Sequence, residues 1–364
     1  MSSRICIPTI SVSTRRRQSD RCDSTLDKRR LAFIAGMIIS AVFLVLAFRG
    51  LQPDQFWANL SEVDLPLLLF AGLVYFLAVV IIALRWQFLL RAVKLVPLSA
   101  LAQIVFVGYM GNNVYPLRAG DALRIVLLRR NHAVPLVRST TVVIIERLFD
   151  GSVMLAFILF SLLFIDLQSE PIETITAVTA PLFAIAMLLA FFLAAKPNLL
   201  RRIVRTLLRL LPQSMAAPVA RLSEDIIAGL KSLRRPAYLV GAVISSFVTW
   251  GVEAGTYWLV MFAFGLELNY AVALLLVGAV NLAGLIPASP GQVGVNEFVV
   301  ITILTALSLP TATATAYAVV THLVIWLPPT LLGFTLLLRQ GMGWSDIRRA
   351  QDAEIAAHGF ADRT

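Results

Sequence analysis

The chain has 364 residues, of which 59% are hydrophobic and 14% charged, and its net charge is +10. Soluble domains carry roughly 25% charged residues, so this composition, with a mean hydropathy of +0.83, excludes an ordinary soluble protein and points to a polytopic membrane protein. The basic excess lies mostly beside apolar runs, a positive-inside signature that argues against a nucleic-acid partner.

Residues 1–30 are polar and Arg-rich (Arg15, Arg16, Arg17, Lys28, Arg29, Arg30) and read as a disordered cytoplasmic tail. The apolar run 31–48 is long for a signal-peptide core, and Phe48-Arg49-Gly50 offers no small-x-small cleavage site, so an uncleaved first span is expected. Cys6 and Cys22 both fall in the tail and support neither a disulfide framework nor a Cys-rich metal site. His132, His322 and His358 are too scattered in sequence to read as a metal cluster. An acidic connection (Asp54, Glu62, Asp64) leads into a span over 66–90, followed by Arg91 and Lys94. This places 49–65 outside and 91–98 inside. Arg85 and Trp86, near the inner end of that span, read as a snorkelling cation beside an interfacial aromatic.

The segment 99–115 is apolar but short, and Arg118, Arg124, Arg129 and Arg130 follow it. A full crossing would put this cluster outside. A hairpin entering from the cytoplasm, with halves 99–114 and 121–131 around a break at 115–120, keeps it inside. Such backbone is tolerated at membrane depth only where protein buries it or a wet cavity satisfies it. A span over 137–165 leads to a loop with Asp166, Glu170 and Glu173, as an outside loop should have, and 175–195 returns inside. Residues 196–235 are strongly basic. Leu200, Ile203, Val204, Leu207 and Leu211 share a helical face there, with Arg201, Arg202, Arg205 and Arg209 largely off it. This reads as an amphipathic helix on an anionic leaflet, an anchor rather than a catalytic element. The span 238–264 runs outward. Residues 270–286 and 298–309 are apolar around a second break at 287–297, and a last span over 312–338 ends at Arg339 on the inside. Charge alone allows 270–309 to be either a hairpin from outside or two full crossings.

The unit 66–90, 99–131, 137–165 parallels the unit 238–264, 270–309, 312–338. Each break carries Pro-x-x-x-Gly, as Pro116/Gly120 and Pro287/Gly291. In the hairpin reading the two units have opposite orientation, the inverted repeat of many secondary transporters, whose interrupted helices meet at the midplane. The expected fold class is therefore all-α: a polytopic helical bundle with two broken, re-entrant hairpins. Its membrane domain spans 31–340 in the cell membrane, with a cytoplasmic C-terminal tail at 341–364 and both termini on the cytoplasmic side.

Half-helix N-termini attract anions, and Arg118 and Arg124 add guanidiniums suited to phosphate. Asp121 can cap the returning half-helix or pair with an Arg, and Asn296 and Glu297 open the second returning segment, where a cap is equally open. Glu146, Arg147 and Asp150 lie inside a span, where ionisable residues are costly and face the bundle interior or water. Their i,i+3 and i,i+4 spacing fits either an internal salt bridge or the polar wall of a cavity, with a proton-coupling carboxylate as a further option. Glu253 is the candidate counterpart in the second unit, and His322 reads as a satisfied interior histidine ahead of a proton relay. No Walker-type P-loop is present in the sequence, which argues against a self-contained ATP pump. No cofactor or metal is expected.

The ordered set Asn113-x-x-Pro116-x-Arg118-x-Gly120-Asp121-x-x-Arg124, Glu146-Arg147-x-x-Asp150 and Pro287-x-x-Pro290-Gly291-x-x-Gly294-Val295-x-Glu297 resembles the pattern of the lysylphosphatidylglycerol synthase transmembrane-region family over roughly residues 30–340. In bifunctional members this region is associated with moving aminoacylated phospholipid across the bilayer, while a separate cytosolic domain makes that lipid from charged tRNA. No such domain is recognisable here, so the resemblance implies transport without synthesis, with membrane lipid as the partner. Arg118, Asp121, Arg124, Glu146, Arg147, Asp150 and Glu297 match the family's polar positions. With Asn113, Pro116, Gly120, Pro287, Gly291, Gly294 and Asn296 they form the expected headgroup cavity. An enzyme or accessory subunit of lipid or glycan-lipid synthesis, for instance hopanoid-associated, and a structural membrane scaffold are the alternatives.

Overall fold

The computed structural model describes residues 34–49, 52–91, 94–115, 119–165, 185, 196–209, 220, 236–284 and 289–340. The tails 1–30 and 341–364, the span 175–195 apart from Ile185, the acidic loop before it and most of 210–235 lie outside these. All regular structure among the described residues is helical. The elements are α1 (Ile34–Ala47), α2 (Pro53–Ser61), α3 (Leu65–Leu90), α4 (Leu98–Val114), α5 (Ala119–His132), α6 (Leu136–Ser161), α7 (Pro197–Leu208), α8 (Pro236–Ala263), α9 (Tyr270–Ala283), α10 (Val295–Ala306) and α11 (Thr311–Arg339).

Local chemistry sets the helix ends. The Asp64 carboxylate accepts from Leu67 N at 3.0 Å and caps α3, with Pro66 in its first turn. Tyr115 takes extended dihedrals (φ −102°, ψ 148°), as a residue before proline must, and so stops α4. Asn269 caps α9 by accepting from Ala271 N at 2.5 Å. Between α9 and α10 a single 3-10 turn, Pro290–Gln292, carries left-handed residues at Gly291 (φ 70°) and Gln292 (φ 60°), and Gly294 (φ 92°) follows it. Glu297 reaches back to Gly294 N at 2.6 Å, closing the start of α10.

The helices are too apolar to sort into inside and outside faces by sequence moment, yet packing sorts them. On α11, Leu323, Leu327, Leu331, Phe334 and Leu338 form an exposed apolar stripe at helical spacing, while Tyr317, Thr321 and His322 are buried. α3 exposes Leu65, Leu69, Phe70, Leu73 and Leu77 and buries Tyr75, Val79, Ile82 and Trp86. Exposed apolar surface of this extent belongs against lipid. α3 and α11 are each long and apolar enough to cross a membrane.

α3 and α8 make the most extensive helix contact and form the centre of the bundle. Around them the pairing is reciprocal: α4 packs on α3 and on α11, and α9 packs on α8 and on α6. One apolar core gathers α3, α4, α5 and the first half of α6. A second gathers the rest of α6 with α8, α9, α10 and the N-terminal half of α11. α4 and α5 touch through glycines: a Cβ at Gly120 would run into the Gly108 carbonyl and come within 2.7 Å of Asn112 N, and Gly120 N donates to Asn112 Oδ1 at 2.9 Å.

Candidate functional site

A cavity of about 370 Å³ lies between the two cores, within the usual range of ligand pockets. α4 brings Tyr109, Asn112 and Asn113 to its wall, and α5 brings Arg124. The turn between α9 and α10 brings Ser289 to Gln292, and α10 adds Asn296. The two breaks in the apolar pattern thus border one cavity.

One wall is an ion network. Arg85 Nη2 donates to Glu146 Oε1 and Arg85 Nη1 to Asp150 Oδ1, each at 2.5 Å. Arg124 pairs with Glu146 at 3.2 Å and with Asp121, and it stacks over the Trp86 ring at 5.0 Å. Arg147 lies 3.2 Å from Glu146 and 3.6 Å from Asp150. Trp250 Nε1 donates to Asp150 Oδ1 at 2.8 Å. Three guanidiniums and three carboxylates therefore balance one another. Arg85 is fully buried, a placement tolerable only because both carboxylates face it. The Arg147 side chain is 37% exposed and the Arg124 side chain 2%, so Arg147 is the more accessible cation.

The opposite wall rests on His322. Its Nε2 faces the Gly291 carbonyl at 2.9 Å, and its Nδ1 is hydrogen-bonded to the Glu297 carboxyl. A carbonyl only accepts, so Nε2 carries a hydrogen. The contacts of the two ring nitrogens tie the left-handed turn at Gly291 to α10 and α11. α11 also carries Pro328-Pro329, which withdraws two ladder donors. Asn113 Nδ2 binds the same stretch, donating to Thr330 Oγ1 at 2.8 Å and to Trp326 O at 3.3 Å. Glu253 is buried in the wall, with Asn281 Nδ2 3.5 Å from its carboxylate and no cation paired with it among the described residues.

A family model described as the lysylphosphatidylglycerol synthase transmembrane region matches residues 33–333. The chain belongs to this family. Among its relatives is Glycosyltransferase AglD of Haloferax volcanii, 25% identical over 81% of this chain and 52% of that protein, so the chain spans about half of that relative's length. UPF0104 membrane proteins of Pyrococcus horikoshii (22% identical, 86% of this chain, 97% of that protein) and Methanocaldococcus jannaschii (24%, 83%, 93%) are similar over nearly their whole length.

In this member of the lysylphosphatidylglycerol synthase transmembrane-region family, the structure places Asn113, Arg124, Glu146, Arg147, Asp150, Gly291 and Asn296 on the cavity wall. Asp121 stands behind Arg124, Gly120 joins α4 to α5, and Gly294 and Glu297 hold the second turn. Pro116, Arg118 and Pro287 lie outside the described residues. Arg85 corrects the sequence reading: it does not snorkel, because two carboxylates on α6 meet it inside the bundle. Its signal was an arginine more than a turn inside a span, where ionisable groups demand a partner. The aromatic wall, with Tyr75, Tyr109, Trp250 and Tyr257, was not foreseen, since aromatic residues in apolar helices look like core. Among the described residues no cluster of His, Cys, Asp or Glu could hold a metal.

Proposed function

We propose that this protein is a lipid translocator, which admits the headgroup of a phospholipid or other lipid to the cavity while the acyl chains stay in the bilayer. The observation that carries this reading is the meeting of both helix breaks at one polar cavity inside a bundle whose outer faces are apolar. The reciprocal packing of α4 on α11 and α9 on α6 supports an inverted repeat, with α4–α5 entering from the cytoplasm and α9–α10 from the opposite side. Arg147 is the guanidinium best exposed to a phosphate, with Arg118 a second candidate by sequence. α7, with Arg201, Arg202 and Arg205 in its sequence, would lie on the anionic cytoplasmic leaflet, where each basic residue is worth about 1 kcal/mol.

The test is transport in proteoliposomes, following a fluorescent phospholipid from one leaflet to the other. Protein-dependent movement that Arg147→Gln slows supports the reading. Movement no faster than in empty vesicles, across anionic and zwitterionic lipids, removes it.

A second reading is an enzyme or accessory subunit of glycan-lipid synthesis, favoured by the printed name of the Haloferax volcanii relative. A new lipid species formed by purified protein and an activated sugar donor would select it.

A further inference from the structure

The cavity carries more hydrogen-bonding capacity than the protein itself uses. Asn296 is buried, lines the cavity and makes no side-chain hydrogen bond among the described residues. Tyr257 Oη and Trp326 Nε1 are also unpartnered among the described residues, but both are closed off from the cavity space. Asn113 and Asn281 spend their amide N–H groups on the protein, which leaves their carbonyl oxygens to the cavity. Gln292 adds a further amide. Donors and acceptors are thus interleaved with aromatic faces. The charges of the network are paired with one another, although Arg85 Nε, Arg124 Nε, Arg147 Nε and Asp150 Oδ2 have no hydrogen-bond partner among the described residues, while Arg147 keeps an exposed side and the Glu253 carboxyl faces no cation among them.

An alcohol both donates and accepts, and so matches amide oxygens and amide N–H groups at once. Leaving buried groups of this kind unpaired is costly, so a site built from them rejects ligands that lack the matching hydroxyls. We propose, on the translocator reading above, that the cargo headgroup is a ring of hydroxyls, a sugar or cyclitol, joined to lipid through phosphate. Arg147 takes the phosphate, and Asn296, Asn281, Asn113 and Gln292 take the hydroxyls. The Glu253 carboxyl accepts from a hydroxyl rather than pairing with an amine.

The experiment uses the full chain in nanodiscs for binding and in proteoliposomes for transport, with three fluorescent lipids sharing one diacyl anchor: phosphatidylinositol, phosphatidylglycerol and lysylphosphatidylglycerol. Phosphatidylinositol is expected to bind at least about tenfold tighter than either other lipid, the worth of one or two good hydrogen bonds. Asn296→Ala and Gln292→Gly should each cut that preference several-fold. Gln292 is only partly buried and glycine suits its positive φ, so Gln292→Gly serves if Asn296→Ala fails to fold. Glu253→Gln should keep most of the affinity, since an amide still accepts from a hydroxyl. Equal binding of the three lipids, tighter binding of the lysyl lipid, or loss of all binding in Glu253→Gln overturns the hydroxyl-ring assignment. Transport of the other two lipids alone overturns it while leaving the translocator standing. Selective phosphatidylinositol binding without transport upholds it and removes the translocator. Binding of none removes both.

Discussion

Arg85 on α3 and Asp150 on α6, 65 residues apart in sequence, are joined at 2.5 Å inside the bundle. The same guanidinium holds Glu146, so one side chain fixes the depth and rotation of α6 against α3. Removing one partner of such a pair leaves a buried charge uncompensated. Arg85→Met is therefore expected to lower stability by about 3–5 kcal/mol, read as a fall in the detergent-solubilised unfolding midpoint. Arg85→Lys should recover little, because an ammonium cannot span two carboxylates as a planar fork does. The double change Arg85→Met, Asp150→Asn, which leaves two guanidiniums facing two carboxylates and keeps the oxygen that accepts from Trp250, should be milder than Arg85→Met alone. A double variant less stable than the single one would contradict this account.

Glycine matters where helices touch backbone to backbone. Gly120→Ala drives a methyl into the Gly108 carbonyl, and a cost of about 1–3 kcal/mol is expected. Gly72→Ala and Gly255→Ala meet nothing within 4 Å and should be neutral or slightly stabilising. Thermal unfolding of the three variants side by side checks the contrast.

His322 clamps the second turn, and His322→Phe should loosen it without emptying the core. A cysteine at position 289, in a chain carrying Cys6→Ser and Cys22→Ser, is expected to react with a soluble maleimide several-fold faster when His322 is replaced. Losing a hydrogen bond to a charged group is worth about 1.5–3 kcal/mol, ample for that change. Identical labelling rates would show that Glu297 and Gly294 hold the turn unaided.

Arg147 and Glu146 are neighbours that separate binding from structure. Arg147→Gln, at a side chain 37% exposed, should slow lipid movement with an unfolding midpoint close to the parent's. Glu146→Gln, at 1% exposure and facing three guanidiniums, should lower both.

The helix bounds were largely legible because proline, glycine and capping residues are local signals. The expected span over 66–90 is α3, Leu65–Leu90, and the halves 99–114 and 121–131 are α4 and α5. Glu146, Arg147 and Asp150 stood out because charge inside an apolar run is expensive. Arg85 stood out too but reads as snorkelling, since one chain position does not reveal which helix packs across from it. Asn112, Asn281 and Trp326 were hidden for the same reason: neutral hydrogen-bonding groups in an apolar helix become a site only when separate helices aim them at one space.

Every charge of the network wall, from Arg85 to Asp150, belongs to the first half of the chain. In the topology proposed above α6 enters the bilayer with Glu146, Arg147 and Asp150, and such charges are each of the order of 2.5–3.5 kcal/mol uphill at the centre of a lone helix. α3 precedes it in the chain and carries Arg85. On that topology the earlier helix would supply the counter-charge for the later one, and a ribosome that had not yet made α8 would already hold a neutralised polar wall awaiting its second side.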